Sequence, residues 1–303
     1  VILAGVGNQS PILSNTGEDM FTSFIRKFNP KIKSTFISDK HHLTHTSGAF
    51  YNSGFKKAIG IVIDGCGSRV SFSDLKIEGD EAESTFLCSY KEIKKIHGVY
   101  KNALGPNIEN QKYQLQNTVN IAHVYEAITS YLGFSPIEGG KTMGLSSYGK
   151  ENKKIPNFLI NQKFNKNIFS FNSYIPDFQH PTLDFSLLEE FSNKDLAWKV
   201  QYDTQLLVKE YIKKAIDKVQ LKNVVCSGGY FLNCVANYYL IKEFPDINFY
   251  FEPISHDGGI SLGAALYRWY ELNPNSKSYK QKSLYYGPQY SKEQLLEGIK
   301  KYV

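Results

Sequence analysis

The sequence predicts an α/β fold on three observations. First, the run Ala58-Ile59-Gly60-Ile61-Val62-Ile63 is nearly all apolar, as strands buried on both faces are. Second, the chain closes on strand, glycine turn and helix twice over, with strands at 223–226 and 247–251 and helices at 231–244 and 259–270. Third, residues 119–132 carry helical periodicity and stop at Gly133.

In chain order, residues 1–6 read as a buried strand. A turn at 8–16 leads to an amphipathic stretch with Met20, Phe21, Phe24, Ile25 and Phe28 on one face. A strand at 32–37 precedes His41-His42-Leu43-Thr44-His45, which opens the helix-compatible segment 43–51. The central strand at 56–64 turns through Asp64-Gly65-Cys66-Gly67-Ser68 into a strand at 69–75 and another at 84–90, a three-stranded meander. Residues 94–117 are polar and weakly patterned, so a loop-rich insertion is expected there. A second insertion, about 150–195, is expected to be irregular where Pro156, Pro176 and Pro181 interrupt it, with helices at 185–191 and 196–219. The last segment opens with the capping signal Ser291-x-x-Gln294.

Composition narrows the function. A chain of 303 residues forms one large or two medium domains, and its net charge of +6 is modest with no concentrated basic run, which speaks against a duplex nucleic-acid partner. Cys66, Cys88, Cys226 and Cys234 are scattered without C-x-x-C, as free thiols in a reducing cytoplasm are. No apolar run is long enough to span a membrane.

Five motifs carry chemistry. His41 and His45 are four apart and share a helix face, so they suit either a common metal ion or a solvated helix start; the glutamate of H-E-x-x-H is missing. Asp257, before the last helix, is either an N-cap or the carboxylate that completes a three-ligand site with open positions. Asp64, Gly65, Gly67 and Ser68 suit a phosphate hairpin in which the acid holds hydrated Mg²⁺, or an ordinary glycine hairpin. Gly228 and Gly229, with Asn233 and Asn237 following four apart, suit either helix N–H groups placed for a phosphate or an ordinary βα turn whose polar helical positions face solvent, and Gly258 repeats the turn at the next strand end. In Glu138-Gly139-Gly140-Lys141 the P-loop spacing is absent; Glu138 is a candidate general base and Lys141 a point charge for phosphate, in what reads as a surface loop. His97, His123 and His180 read as structural or solvated.

The succession His41-His42-x-x-His45, Ile63-Asp64-Gly65-x-Gly67, Gly140-Lys141-x-Met143-Gly144-Leu145-x-x-Tyr148-Gly149, Ser227-Gly228-Gly229-x-x-x-Asn233 and Asp257-Gly258-Gly259-x-x-x-Gly263-Ala264-Ala265 resembles the NodU/CmcH family of O-carbamoyltransferases. The resemblance implies an actin-like ATPase (ASKHA, duplicated RNase H-like) fold of the Kae1/TsaD type. ATP and carbamoyl phosphate would give a carbamoyladenylate in a YrdC-like domain. The carbamoyl group would then pass to a hydroxyl of an antibiotic, sugar, Nod factor or similar small acceptor. By the same resemblance His41, His45 and Asp257 hold Fe²⁺ or another divalent metal, Asp64 to Ser68 meet the nucleotide phosphates, and Gly228, Gly229 and Asn233 the adenosine side. Residues 1–55 are expected to be the remainder of an incomplete first lobe, 56–270 the second lobe, and 271–303 a linker into a missing YrdC-like domain. The chain, starting at Val1, is thus expected to be trimmed at both ends and inactive in overall carbamoyl transfer alone. A TsaD-like threonylcarbamoyl transfer protein and a non-catalytic nucleotide or metal binder are the alternatives.

Overall fold

The computed structural model describes residues 2–3, 20–31, 35–36, 40–101, 107–116, 120–155, 157–159, 169–175, 178–183, 188–285, 287–300 and 302. Its elements in order are β1 (Ile2–Leu3), α1 (Met20–Arg26), β2 (Thr35–Phe36), α2 (His41–Ser53), β3 (Lys57–Ile63), β4 (Arg69–Phe72), β5 (Ile77–Ser89), β6 (Ile93–Lys101), β7 (Ile108–Glu109) and β8 (Tyr113–Gln116). There follow α3 (Ile121–Tyr131), α4 (Gly139–Ser146), β9 (Phe169–Ile175), β10 (Phe178–Leu183), α5 (Asn193–Val219), β11 (Asn223–Ser227), α6 (Cys234–Glu243), β12 (Asn248–Phe251), α7 (Ile260–Leu272) and α8 (Lys292–Lys300). No helix among the described residues is long and apolar enough to cross a membrane.

One mixed eight-stranded sheet organises the chain, in the order β12-β11-β3-β5-β6-β8-β7 with β4 also on β5. Strands β12, β11 and β3 run parallel, and β5 and β6 continue antiparallel. Strand β3 is apolar from Ala58 to Ile63 because both of its faces are covered there. Ile59, Ile61 and Ile63 pack with Val124 and Ile128 of α3 and Val200 and Ile212 of α5. Ala58 and Val62 pack on the other face with Ala49 and Phe50 of α2. The predicted α/β class and closing βαβα unit are present as expected.

Several expected boundaries differ. Within the expected loop-rich insertion at 94–117, the described residues form strands: β6, β7 and β8 lie in the main sheet. Their polarity hid this, because the inward lysines find partners far away in sequence, Lys95 at Glu81 and Lys101 at the Gly65 carbonyl, 2.8 Å away. Strand β5 begins seven residues before the expected 84, since Asp80 is paired with Arg69 at 2.9 Å and Glu81 with Lys95. The meander is also rearranged, with β3 and β4 both pairing with β5 along different parts of its length. Residues 139–146 form a helix, not a surface loop. The irregular excursion contains the antiparallel hairpin β9–β10. The single helix expected at 231–244 is a 3₁₀ turn at Gly229–Leu232 followed by α6, because Asn233 turns out of the helix to cap it through Ala236 N–H at 3.0 Å. The capping box at Ser291 and Gln294 forms as read, with reciprocal bonds of 2.8 and 3.3 Å. The expected turn at 8–16, most of the strand at 1–6 and the side chain of His180 lie outside the described residues; of the helix expected at 185–191, residues 188–191 are described and form a turn, not a helix.

Helix α2 is buried almost all round and packs closely on α7. A Cβ at Gly263 would stand 1.9 Å from the Thr44 carbonyl oxygen and 3.1 Å from Gly48 N, so the crossing requires glycine. Gly263→Ala is therefore expected to push α7 away from α2 and to destabilise the chain by about 1–3 kcal/mol. Urea unfolding measures it, and an unchanged midpoint would show that the crossing has slack.

Candidate metal centre and adjoining cavity

The carboxyl ends of parallel strands are where α/β sheets place ligand chemistry. Here Asp64 follows β3, Gly228 follows β11, and Asp257 opens the 3₁₀ turn Asp257–Gly259 that leads into α7. Helix α2 starts against these ends, so its first turn brings His41 and His45 to them.

Four ligand atoms converge there. His41 Nε2 lies 3.1 Å from His45 Nε2, 3.2 Å from Asp64 Oδ2 and 3.3 Å from Asp257 Oδ1. His45 Nε2 lies 3.9 Å from Asp64 Oδ2 and 3.4 Å from Asp257 Oδ1. Donors about 2.0–2.1 Å from a shared tetrahedral ion stand roughly 3.4 Å apart, so these spacings fit a divalent cation. The remaining contacts are those of supported ligands. His45 Nδ1 is 3.2 Å from Ser227 Oγ, and Asp64 Oδ1 accepts the Gly229 N–H at 2.9 Å. The Asp257 side chain is 42% exposed while the histidines are buried, which leaves the group open on one side.

The electrostatics follow from the same geometry. Burial penalises the His41 cation, but hydrogen bonds to Asp257 and Asp64 and their charges outweigh it and raise the pKa from 6.5 to about 10. Burial likewise opposes ionisation of Asp64 and Asp257, yet the histidines hold both carboxyls well below the ordinary range. His42 faces away from the cluster: its ring is fully buried, its Nδ1 lies 2.8 Å from Ser84 Oγ, and burial pushes its pKa well down.

A cavity of about 670 Å³ adjoins the open side. Asp64, Asp257, His123 and Glu126 form its polar end, and Tyr125, Ile137, Met143, Tyr230 and Leu232 its apolar wall. Glu126 of α3 is one residue that sequence reasoning missed. Burial and the neighbouring Asp64 charge push its carboxyl up to about 7. Its one-turn spacing from His123 was the available signal. Lys101, 5% exposed, is a second: its Nζ lies 3.3 Å from His123 Nδ1 beneath the Gly65 loop. Asp64 was anticipated as a phosphate residue, and the structure places it in the histidine cluster.

The other residues singled out from sequence fall as follows. Gly65 lines the cavity, whereas Gly67 packs against His42 and Ser68 Oγ accepts the His41 N–H at 3.1 Å. Gly228 has φ +98°, and a Cβ there would come within 2.3 Å of the Ile63 carbonyl oxygen. Asn233 lines the cavity while its Nδ2 donates to Gln201 Oε1 at 2.8 Å; Asn237 Nδ2 donates to the Phe231 carbonyl. Gly258 N–H donates to His256 Nδ1 at 3.0 Å, so His256 caps that turn. Glu138 and Lys141 pair with each other at the surface and are not among the cavity's lining residues, though Gly139 and Gly140 are. All four cysteines are free.

Comparison with known proteins places this architecture. An uncharacterised protein of Methanocaldococcus jannaschii is 26% identical over 297 residues, covering 89% of this chain and 44% of its own. Nodulation protein NolNO of Sinorhizobium fredii is 25% identical over 274 residues, covering 87% and 35%. The chain spans less than half the length of these curated relatives. Full-length HypF, solved in a phosphate- and nucleotide-bound form, superposes with a TM-score of 0.52 at 15% identity over 92% of this chain and 48% of its own, a likeness of fold. Residues 18–266 match the family described as Carbamoyltransferase N-terminus, and with most of its length so matched the chain belongs to the carbamoyltransferase family.

Proposed function

We propose that this chain is the group-transfer domain of an O-carbamoyltransferase. The carbamoyl group of a carbamoyladenylate, made from Mg²⁺-bound ATP and carbamoyl phosphate, passes in the cavity to a hydroxyl of a small-molecule acceptor. The observation that carries this reading is the His41–His45–Asp64–Asp257 cluster at the polar end of a nucleotide-sized cavity, within a carbamoyltransferase-family chain. The strand order supports an actin-like lobe: three antiparallel strands, β3, β5 and β6, with two parallel strands, β11 and β12, added beside the first. In this proposal residues 56–270 are the second lobe, 1–55 belong to the first, and a YrdC-like domain supplies the adenylate in the cytoplasm.

The tasks divide among residues already placed. His41, His45, Asp64 and Asp257 would hold a divalent cation, iron by family resemblance, whose Lewis acidity polarises a carbonyl oxygen. Gly65 and Gly229, lacking side chains, leave the cavity floor open to the phosphate, with Asn233 on the nucleotide side. The acceptor hydroxyl must lose a proton as the new C–O bond forms and the bond from the carbamoyl carbon to the phosphate oxygen breaks, releasing AMP. Glu126, with its pKa near 7, is the cavity carboxylate suited to take it. Glu138 suits that task less well, since hydrogen bonding to Lys141 lowers its proton affinity.

Elemental analysis of the purified chain is expected to find bound metal that His41→Ala and Asp257→Ala remove; unchanged metal content in both variants rejects the ligand assignment. Calorimetry with ATP tests the nucleotide half, and a chain that binds no adenine nucleotide is not the transfer domain.

Metal uptake should also be linked to protons. His41 has a folded pKa of about 10 against an ordinary 6.5, so in the metal-free chain it contributes stability fully present below pH 6.5 and lost as pH rises through 10. A cation must displace that proton. Metal affinity should therefore rise about tenfold per pH unit within this window, as read by metal titration at several pH values; an affinity flat with pH contradicts the assigned His41 environment.

A further inference from the structure

Helix α2 has no cap of its own: Lys40, the residue before it, makes no side-chain cap hydrogen bond. The first N–H groups of a helix are orphan donors that must find acceptors when buried. They find them across the fold. The His41 N–H donates to Ser68 Oγ at 3.1 Å, and the His42 N–H to Glu81 Oε2 at 3.4 Å. The same carboxylate oxygen accepts the Ser68 N–H at 3.1 Å, which holds Ser68 in place, while Glu81 Oε1 pairs with Lys95 Nζ. The Glu81 main chain also binds Gly67 N–H and Ser68 carbonyl, at 2.8 and 3.0 Å.

Glu81 thus acts as a cap supplied from β5, its side chain 4% exposed and its negative charge at the positive end of the α2 dipole. The groups it fixes belong to the first turn, and His41 is the first helical residue. A metal site tolerates displacements of only about 0.5 Å in its ligands. We propose that Glu81 is a positioning residue for the metal centre: its buried carboxylate locks the first turn of α2 and so aims the His41 and His45 rings, without itself touching the ion. This rests on the metal reading above.

The test is titration of the purified chain with Co²⁺, followed by absorption, with urea unfolding of each metal-free protein alongside. Replacing the ion pair by apolar groups of similar volume, E81M/K95M, removes the cap acceptor while sparing the fold an unpaired buried charge. E81Q/K95M restores an acceptor oxygen at the same place. The expected result is Co²⁺ affinity weakened roughly 10- to 100-fold in E81M/K95M, with an altered ligand-field spectrum, and regained to within a few-fold in E81Q/K95M. Ile212→Val, in the core on the opposite sheet face, lowers stability and leaves Co²⁺ affinity unchanged. Wild-type affinity and spectrum in E81M/K95M, or equal losses in both double variants, would overturn the positioning role. Absence of Co²⁺ uptake by the wild-type chain would instead overturn the metal reading, and the positioning role with it.

Discussion

Helix α2 approaches its neighbours so closely that glycines stand where it meets them. A Cβ at Gly60 of β3 would lie 2.6 Å from the Thr46 methyl carbon, and one at Gly263 of α7 would lie 1.9 Å from the Thr44 carbonyl oxygen. These two approaches set the depth and angle at which the helix lies on the sheet. They also bring the start of α2 to the carboxyl end of β3 and the residues preceding α7, which is why two histidines and two aspartates from three separate segments meet. Loosening either approach would move the ligands relative to one another before it disturbed the wider core.

Such packing puts many polar groups in the interior, and most of those around α2 are answered locally or across the fold, with His42 Nε2 an exception. Thr44, Thr46 and Ser47 return their hydroxyls to carbonyls three or four residues earlier, at 2.7, 2.9 and 2.7 Å. Glu81 and Lys95 neutralise each other at the helix start, and the Asn120 Nδ2 donates to the Asp64 carbonyl at 2.9 Å. The histidine–aspartate cluster stands apart from these matched pairs. Two imidazole nitrogens and two carboxylates face one point, an arrangement that a shared proton on His41 or a cation can neutralise.

Much of this was legible in the linear sequence where pattern and burial coincide. The run from Ala58 to Ile63 reads as a strand covered on both sides because it is one, and His41, His45 and Asp257 share a cluster as their residue types suggest. Legibility failed where polar residues are buried in pairs. Strand β6 carries Lys95 and Lys101, and the first half of β5 carries Asp80, Glu81 and Glu83, so both stretches look like solvated loop. Their partners lie on other strands, on α3 and in the Gly65 loop, and no local pattern records a pairing between residues remote in sequence. Glu126 and His123 were hidden for a related reason, since one helix face is distinguished only by what it is packed against.

The sequence by itself determined the class of fold, the order of its central strands and helices, and the identity of the donors, because these depend on local periodicity and on side-chain chemistry. Tertiary structure decided how those donors are used. Asp64 turned from a presumed phosphate contact into a member of the histidine cluster, and Ser68 from a phosphate donor into a cap for the His41 N–H. Glu138 stayed at the surface with Lys141 while Glu126 took the cavity wall. In each case the deciding quantity is a distance between residues that only the packing of α2, α3 and the sheet sets, and no spacing along the chain encodes it.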